Sequence, residues 1–276
     1  MADLQKAARP AARPATTSLP RLPKIMDSDL SDQPLGPRIL GAGRFGKVFL
    51  KTLKSVNNSL VAVKVVPATT QCKDDLVQEA DFLSRVCHRP WFPSLFGWNL
   101  DVAQPYLVQE FVSCRPGVDT ATTLLDAINE PATLLIKSWE YGRALLQVAH
   151  GIHYLHLADV LHNDLKSDNV MVQRNGDNLS AKIIDFGLAC AVDRPIQLDI
   201  KAGEKVSKHI APEVATGGPV SVHSDVYSLG RMIEDVGKCS GSGNSGRHLK
   251  TVARACLKTS PTNRLTILQL VNKLQT

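Results

Sequence analysis

The periodicity of the chain changes once, near Cys114, and that single change limits the folds open to it. From about residue 37 to residue 112 the pattern is that of strands. "RILGAGRFGKVFLKTL" and "NSLVAVKVV" flank a "VNN" turn, "PYLVQEFV" follows later, and one helix is expected around "KDDLVQEADFLSRV". After Cys114 helical periods dominate, in "TATTLLDAI", "TLLIKSWEYGRALLQVAHGIHYLH", "SDVYSLGRMIEDV" and a last pair after Gly246. Short strands "VMVQ" and "AKIID" lie between them, about the turn "RNGDN". A β-rich half followed by a helical half predicts an α+β chain of two lobes with a cleft between them.

Other signals narrow the function. Residues 1–34 are rich in Pro, Ala, Ser and Asp, contain "AARPAARP", and read as a disordered basic tail ahead of a domain at 35–276. Within that domain the β-rich lobe is expected to about residue 109, a connecting segment at about 110–116, and the helical lobe from about 117. A transit peptide is the other reading of the tail, weakened by four prolines in its first 24 residues. Those 24 residues hold five Lys/Arg and one acid, hence four of the net six positive charges. The remainder is near neutral, so nucleic acid is not expected as a primary ligand. The longest run without a charged side chain, residues 144–158, is too short to span a bilayer, and no apolar core follows the start. Neither a transmembrane segment nor a secretory signal is expected. Six cysteines, no two closer than 15 residues, suggest reduced thiols in a cytoplasmic protein rather than a zinc site or a disulfide framework. His150, His153 and His156 recur at spacing three without carboxylate company and read as core-edge or surface residues, not metal ligands. The sequence carries no signal for an oligomeric state.

Several residues carry possible chemistry. "GAGRFGKV" supplies Gly41, Gly43 and Gly46, where backbone amides could approach a phosphate chain. Strands on both sides argue against a dinucleotide fold, which needs a helix next; an ordinary glycine-rich turn is the alternative. Lys64 ends "VAVK" on the face of Leu60, Ala62 and Val66, where an ammonium is costly unless paired. Glu79 shares a helical stripe with Leu76, Ala80 and Leu83, so its carboxylate also points inward. The alternative is a solvated lysine and a surface glutamate. Asp164 and Asn169 lie in "HNDLKSDN", and Asp185 follows Asp164 by 21 residues at the end of "AKII". Two carboxylates and an amide at strand ends suit a Mg-nucleotide site, although each aspartate alone could cap a turn.

Together these motifs resemble the eukaryotic-type protein kinase family, from about residue 37 to the C-terminus. The matches are the glycine loop with Phe45 and Val48, "VAVK", Glu79, "HNDLKSDN", "DFG", "APE" at 211–213, "SDVYSLG" at 224–230 and Arg264 in "SPTNR". The resemblance implies a bilobal fold, ATP and Mg²⁺ as cofactors, and a protein serine or threonine as substrate. It implies that Gly41, Ala42, Gly43, Arg44, Phe45, Gly46 and Val48 cover the phosphates, and that Lys64, held by Glu79, binds the α- and β-phosphates. Asp164 would orient the substrate hydroxyl as base, Lys166 would neutralise the travelling phosphoryl group, and Asn169 and Asp185 would bind Mg²⁺. Val48, Ala62 and Met171 would enclose the adenine, Glu110 and Val112 would offer it backbone bonds, and Gln109 would stand at the back. Phe186, His162, Leu83 and Leu95 would form an apolar stack, Glu213 and Arg264 a buried ion pair, and Asp225 would steady the catalytic loop.

Departures from the family's pattern refine these expectations. Asn163 stands where many kinases have the arginine that grips a phosphorylated loop, and residues 188–210 contain no Thr or Tyr and only Ser207. Activity independent of phosphorylation in that segment is therefore expected. Val206 lacks the hydroxyl that serine/threonine kinases use to steady the base, while Lys166 fits that class. A scaffold without catalysis would be expected to have lost Lys64, Asp164 or Asp185, and all three are present. Choline-kinase-like enzymes share an "HND…N" loop but not "DFGLA", "APE" and "SDVYSLG" together. "KCSGSGNSGRH", residues 238–248, reads as a flexible linker in a shortened helical lobe.

Overall fold

The computed structural model describes residues 6–8, 22–34, 36–43, 46–130, 134–200, 206–241 and 243–275. The chain forms two compact units, one of residues 15–112 and one of residues 113–276 joined by residues 1–14. Strand β1 (Lys6–Ala8) belongs to the second unit, where it pairs antiparallel with the strand at Gln197–Asp199.

The β-rich unit contains β2 (Leu30–Ser31), β3 (Arg38–Gly43), β4 (Gly46–Leu53), β5 (Ser59–Val65), α1 (Thr70–Val86), β6 (Leu95–Asn99) and β7 (Tyr106–Glu110). Its antiparallel sheet runs β2-β4-β5-β7-β6, with β3 also on β4. Cross-strand partners share a face, so the registers Val48–Lys64–Leu107 and Leu50–Ala62–Gln109 put these six side chains on one side of the sheet. Helix α1 begins at Thr69, whose Oγ1 accepts from the Cys72 amide, and Leu76 and Ala80 pack with Val66 and Leu107 of that face.

The opposite face is equally apolar, and it corrects the expectation of a disordered tail through residue 34. Leu53, Val61, Val63, Tyr106 and Val108 need a cover, and Ile25 joins their cluster. The backbone is stitched down as well: Ile25 N–H donates to Trp98 O, Trp98 N–H to Pro23 O, and the Tyr106 hydroxyl to Ile25 O. Gly97 allows this approach, since a Cβ there would stand 2.3 Å from Pro23 O. Residues 22–34 therefore belong to the folded unit.

The helical unit holds α2 (Leu124–Asn129), α3 (Ser138–Leu157), β8 (Val160–Leu161), β9 (Val170–Asn175), β10 (Asn178–Ile183), β11 (Cys190–Ala191), β12 (Gln197–Asp199), α4 (Pro212–Ala215), α5 (Val222–Cys239), α6 (Asn244–Cys256) and α7 (Ile267–Gln275). One face of α3 is fully buried through Ala144, Leu145, Val148, Ala149, Ile152 and Leu155. Its Gln147 binds the β10 strand of the β9–β10 hairpin at two points, donating to Leu179 O and accepting from Ala181 N–H. The hairpin turns at Gly176 with φ +58°, as the "RNGDN" pattern suggests. Glu213 and Arg264 form a bidentate pair at 2.7 and 2.6 Å, and the guanidinium also donates to three backbone carbonyls.

Residues 238–248 are not the expected linker. Lys238 and Cys239 finish α5, and α6 begins at Asn244. Gly246 packs closely against the turn, since a Cβ there would stand 2.1 Å from Gly241 O; earlier in α5, one at Gly230 would stand 2.5 Å from Cys256 Cβ of α6. Composition that reads as flexibility here builds a short turn between two helices, with Gly241 at φ +74°.

Candidate active site

In the β-rich unit the glycine segment is the β3–β4 hairpin, with Gly41 opposite Val48, Ala42 opposite Lys47 and Gly43 opposite Gly46. Arg44 and Phe45 lie outside the described residues. Gly46 has φ +118°, and a Cβ there would stand 2.1 Å from Val65 O, so the fold itself demands glycine. Nothing lies within 4 Å of where Cβ atoms would be at Gly41 and Gly43. That open backbone suits close approach by a phosphate chain.

Lys64 Nζ donates to both oxygens of Glu79 at 2.8 and 2.7 Å, with the two side chains 7% and 5% exposed. The pair arises because each residue sits on the apolar side of its own element. Ala62 and Gln109 are register partners on that same face, and Leu95 stands opposite Gln109. Glu110 N–H donates to Ser94 O, so a ligand bond at that residue falls to its carbonyl. Val112 is buried at the end of this unit.

In the helical unit the catalytic-loop residues hang from α5. Buried Asp225 accepts the His162 and Asn163 amides, each at 3.0 Å, and His156 Nε2 lies 3.0 Å from its Oδ2. Burial alone would raise the Asp225 carboxyl, but the His156 hydrogen bond and charge, aided by the Asn163 amide, hold it below the usual carboxylate range. His162 is turned by its own bonds: Nε2 meets Ile184 O, Nδ1 accepts the Asp164 amide, and the ring stands 5.4 Å from Phe186. Asn163, with φ +68°, points inward and donates to Leu188 O and Cys190 Sγ. Cys190 is a buried thiol pushed up by desolvation, which makes it unreactive.

These anchors present Asp164. Lys166 Nζ bridges its oxygens at 3.2 and 2.9 Å, Asn169 Nδ2 donates to Oδ2 at 3.0 Å, and His209 Nε2 lies 3.1 Å from Oδ1. Burial would raise this carboxyl; the His209 hydrogen bond and the Lys166 charge outweigh it and hold it well below the carboxylate range. Asp164 is thus ionised at neutral pH, a good orienting acceptor and a weak base. Asn169 and Asp185 are neighbours because Ile184 N–H donates to Asn169 O, extending the β9–β10 ladder by one pair. Asp185 has φ +65° and its Oδ1 accepts from Gly187 N–H. Met171 is buried on β9.

The donor set fits Mg²⁺. With Asn169 Nδ2 given to Asp164 O and Oδ2, the amide oxygen is the atom suited to a hard cation, beside the Asp185 carboxylate. Among the described residues no cluster of three or more His, Cys, Asp or Glu could hold a metal ion.

His209 is the residue that motif reading missed, and His156, expected to lack carboxylate company, instead meets buried Asp225. Their partners stand 45 and 69 residues away in sequence, so no local spacing announces either contact.

The profile of the family described as "Protein kinase domain" matches residues 37–237. A serine/threonine-protein kinase-like protein of Arabidopsis thaliana is 30% identical over 230 residues, covering 79% of this chain and 59% of the relative. A lectin-domain containing receptor kinase of the same plant is 28% identical over 204 residues, covering 72% of this chain and 28% of that protein. The chain thus spans less than two thirds of either relative. Among the described residues no helix is long and apolar enough to cross a membrane. With the family's profile matched across most of its length, the chain belongs to the protein kinase domain family.

Proposed function

We propose that the protein transfers the γ-phosphate of Mg-ATP to serine or threonine hydroxyls of a protein substrate. The observation that carries this reading is the arrangement at Asp164, an ionised carboxylate presented with Lys166 and Asn169 on its oxygens. Asp164 accepts the substrate hydroxyl and aligns its oxygen with phosphorus. That oxygen forms the new P–O bond as the bond to the ADP oxygen breaks, and the hydroxyl proton passes to Asp164 late in the step. Lys166 turns its charge to the moving phosphoryl group, and Lys64, oriented by Glu79, holds the α- and β-phosphates. Asn169 and Asp185 hold Mg²⁺, which neutralises phosphate charge when bound. Gly41, Ala42, Gly43, Arg44, Phe45, Gly46 and Val48 cover the nucleotide, and Ala62, Gln109, Glu110, Val112 and Met171 receive its base. Serine/threonine specificity is supported by Lys166 and by similarity to the serine/threonine-protein kinase-like protein of Arabidopsis thaliana. Six free cysteines fit a reducing, cytoplasmic compartment.

Radiolabelled ATP with a serine/threonine peptide library tests the reading. Wild type should label peptides in a Mg²⁺-dependent way, and Asp164→Ala should lose about 10³-fold or more in kcat. Equal labelling by both proteins, or none by wild type, refutes it.

A further inference from the structure

His209 lies in the loop before α4, outside every motif that identified the site. Its side chain is 12% exposed, and its Nε2 stands 3.1 Å from Asp164 Oδ1. An ionised carboxylate can only accept, so Nε2 is the protonated ring nitrogen. The contact is not left to a loose loop. Ser228 Oγ donates to the His209 carbonyl at 2.7 Å, while Asp225 holds the amides of His162 and Asn163. Ser228 and Asp225 both belong to α5, so one helix references both ends of the contact.

The donors on Asp164 differ in kind. Lys166 spans both oxygens on a long side chain that is 30% exposed. Asn169 meets Oδ2 and His209 meets Oδ1, each from a backbone fixed by hydrogen bonds. When Lys166 turns to a phosphoryl group it leaves the carboxylate. Asn169 still acts on Oδ2, and a carboxylate held at one oxygen can swing about its Cβ–Cγ bond. A second donor on the other oxygen prevents that rotation. Val206 offers no hydroxyl for the task.

We propose that His209 is a positioning residue for phosphoryl transfer, its Nε2–H holding the Asp164 carboxylate in the plane that meets the substrate hydroxyl once Lys166 has turned away. The proposal rests on the kinase reading above and adds the residue that replaces the missing hydroxyl. It requires a hydrogen-bond donor at this place, not merely a side chain of that size.

Three variants separate the two requirements. His209→Ala and His209→Phe should each lower kcat about 10- to 30-fold, with KM for ATP and peptide within about twofold of wild type. His209→Gln, which can present an N–H near the same point, should recover to within about threefold of wild type. Phenylalanine fills the volume without donating, so His209→Phe matching His209→Gln overturns the proposal, as does wild-type kcat in all three. A spectroscopic arm needs no turnover. Long-range ¹H–¹⁵N spectra of the ¹⁵N-histidine-labelled full chain should show His209 as the Nε2–H tautomer, with its signals moved by Asp164→Asn. An Nδ1–H tautomer in wild type overturns the contact. A wild type without Asp164-dependent transfer overturns the kinase reading and this role with it, and the spectrum then shows separately whether the contact exists.

Discussion

Two buried carboxylates, Glu79 in the β-rich unit and Asp225 in the helical unit, are held by opposite means. Glu79 meets an ion, with both oxygens on the Lys64 ammonium. Asp225 collects several directed hydrogen bonds, from two backbone amides and an imidazole nitrogen, in the first turn of α5. The first arrangement balances two charges that could both be exchanged for apolar groups without losing the fold. The second fixes the direction of a loop, and no apolar substitute can do that. One carboxylate steadies a single reactive ammonium, while the other sets the backbone that presents Asp164, Lys166 and Asn169.

The largest effect should come from splitting the ion pair. Lys64→Met leaves Glu79 buried without its cation, which should cost about 3–5 kcal/mol in urea unfolding. It should also lower kcat by about 10²-fold or more through loss of the phosphate contact. Adding Glu79→Leu should return most of the stability and none of the activity. If the double variant is as unstable as the single, the pair is not a replaceable one and the contrast with Asp225 fails.

Asp225→Asn should be smaller in stability and different in kind. The amide offers one acceptor where the carboxylate offered two, so about 2–3 kcal/mol should be lost. Acid adds a signature. The folded Asp225 carboxyl lies below its usual value because the His156 bond and the Asn163 amide outweigh burial. Below about pH 4 the unfolded chain therefore binds this proton first, and stability rises with pH there. The contribution is fully present above the unfolded value and disappears as pH falls through the folded one. Urea midpoints measured from about pH 5 downward should fall less steeply in Asp225→Asn than in wild type. Parallel curves would remove the charge from the account.

The same contrast explains what was legible in the sequence. Lys64 and Glu79 could be paired on paper because each lies on the apolar side of its own strand or helix, a property of local periodicity. The β9–β10 hairpin was legible for a similar reason, since "RNGDN" announces its turn. His156 and His209 were not, because their carboxylates arrive from distant segments and only the packed α5 brings them together. Ile25 was hidden by its neighbours: "PKIMDSD" is polar, and one buried side chain with a few backbone bonds suffices to bind it to the sheet. Residues 238–248 misled in the other direction, because glycine signals flexibility in a sequence and equally permits a tight turn between helices, as at Gly241 and Gly246.

The smallest expected effect concerns Ser207, and it asks whether dipoles replace ions in the control of the segment before "APE". A phosphorylated loop is gripped by charge, which requires an arginine at position 163. Asn163 is instead buried, and its amide donates to Leu188 O and Cys190 Sγ. Strand β11 then pairs with β8 through Cys190–Leu161 and Ala191–Val160. The start of the segment is thus tied to the catalytic loop by hydrogen bonds that need no phosphate. At its far end, the Ser228 hydroxyl donates to the His209 carbonyl and Ile210 N–H donates to Ser207 O, both onto backbone carbonyls of the segment. Ser207→Ala keeps every one of these bonds, so kcat measured on freshly dephosphorylated protein should change by less than about twofold. A large loss in Ser207→Ala that Ser207→Asp restores would mean that charge, after all, sets this loop.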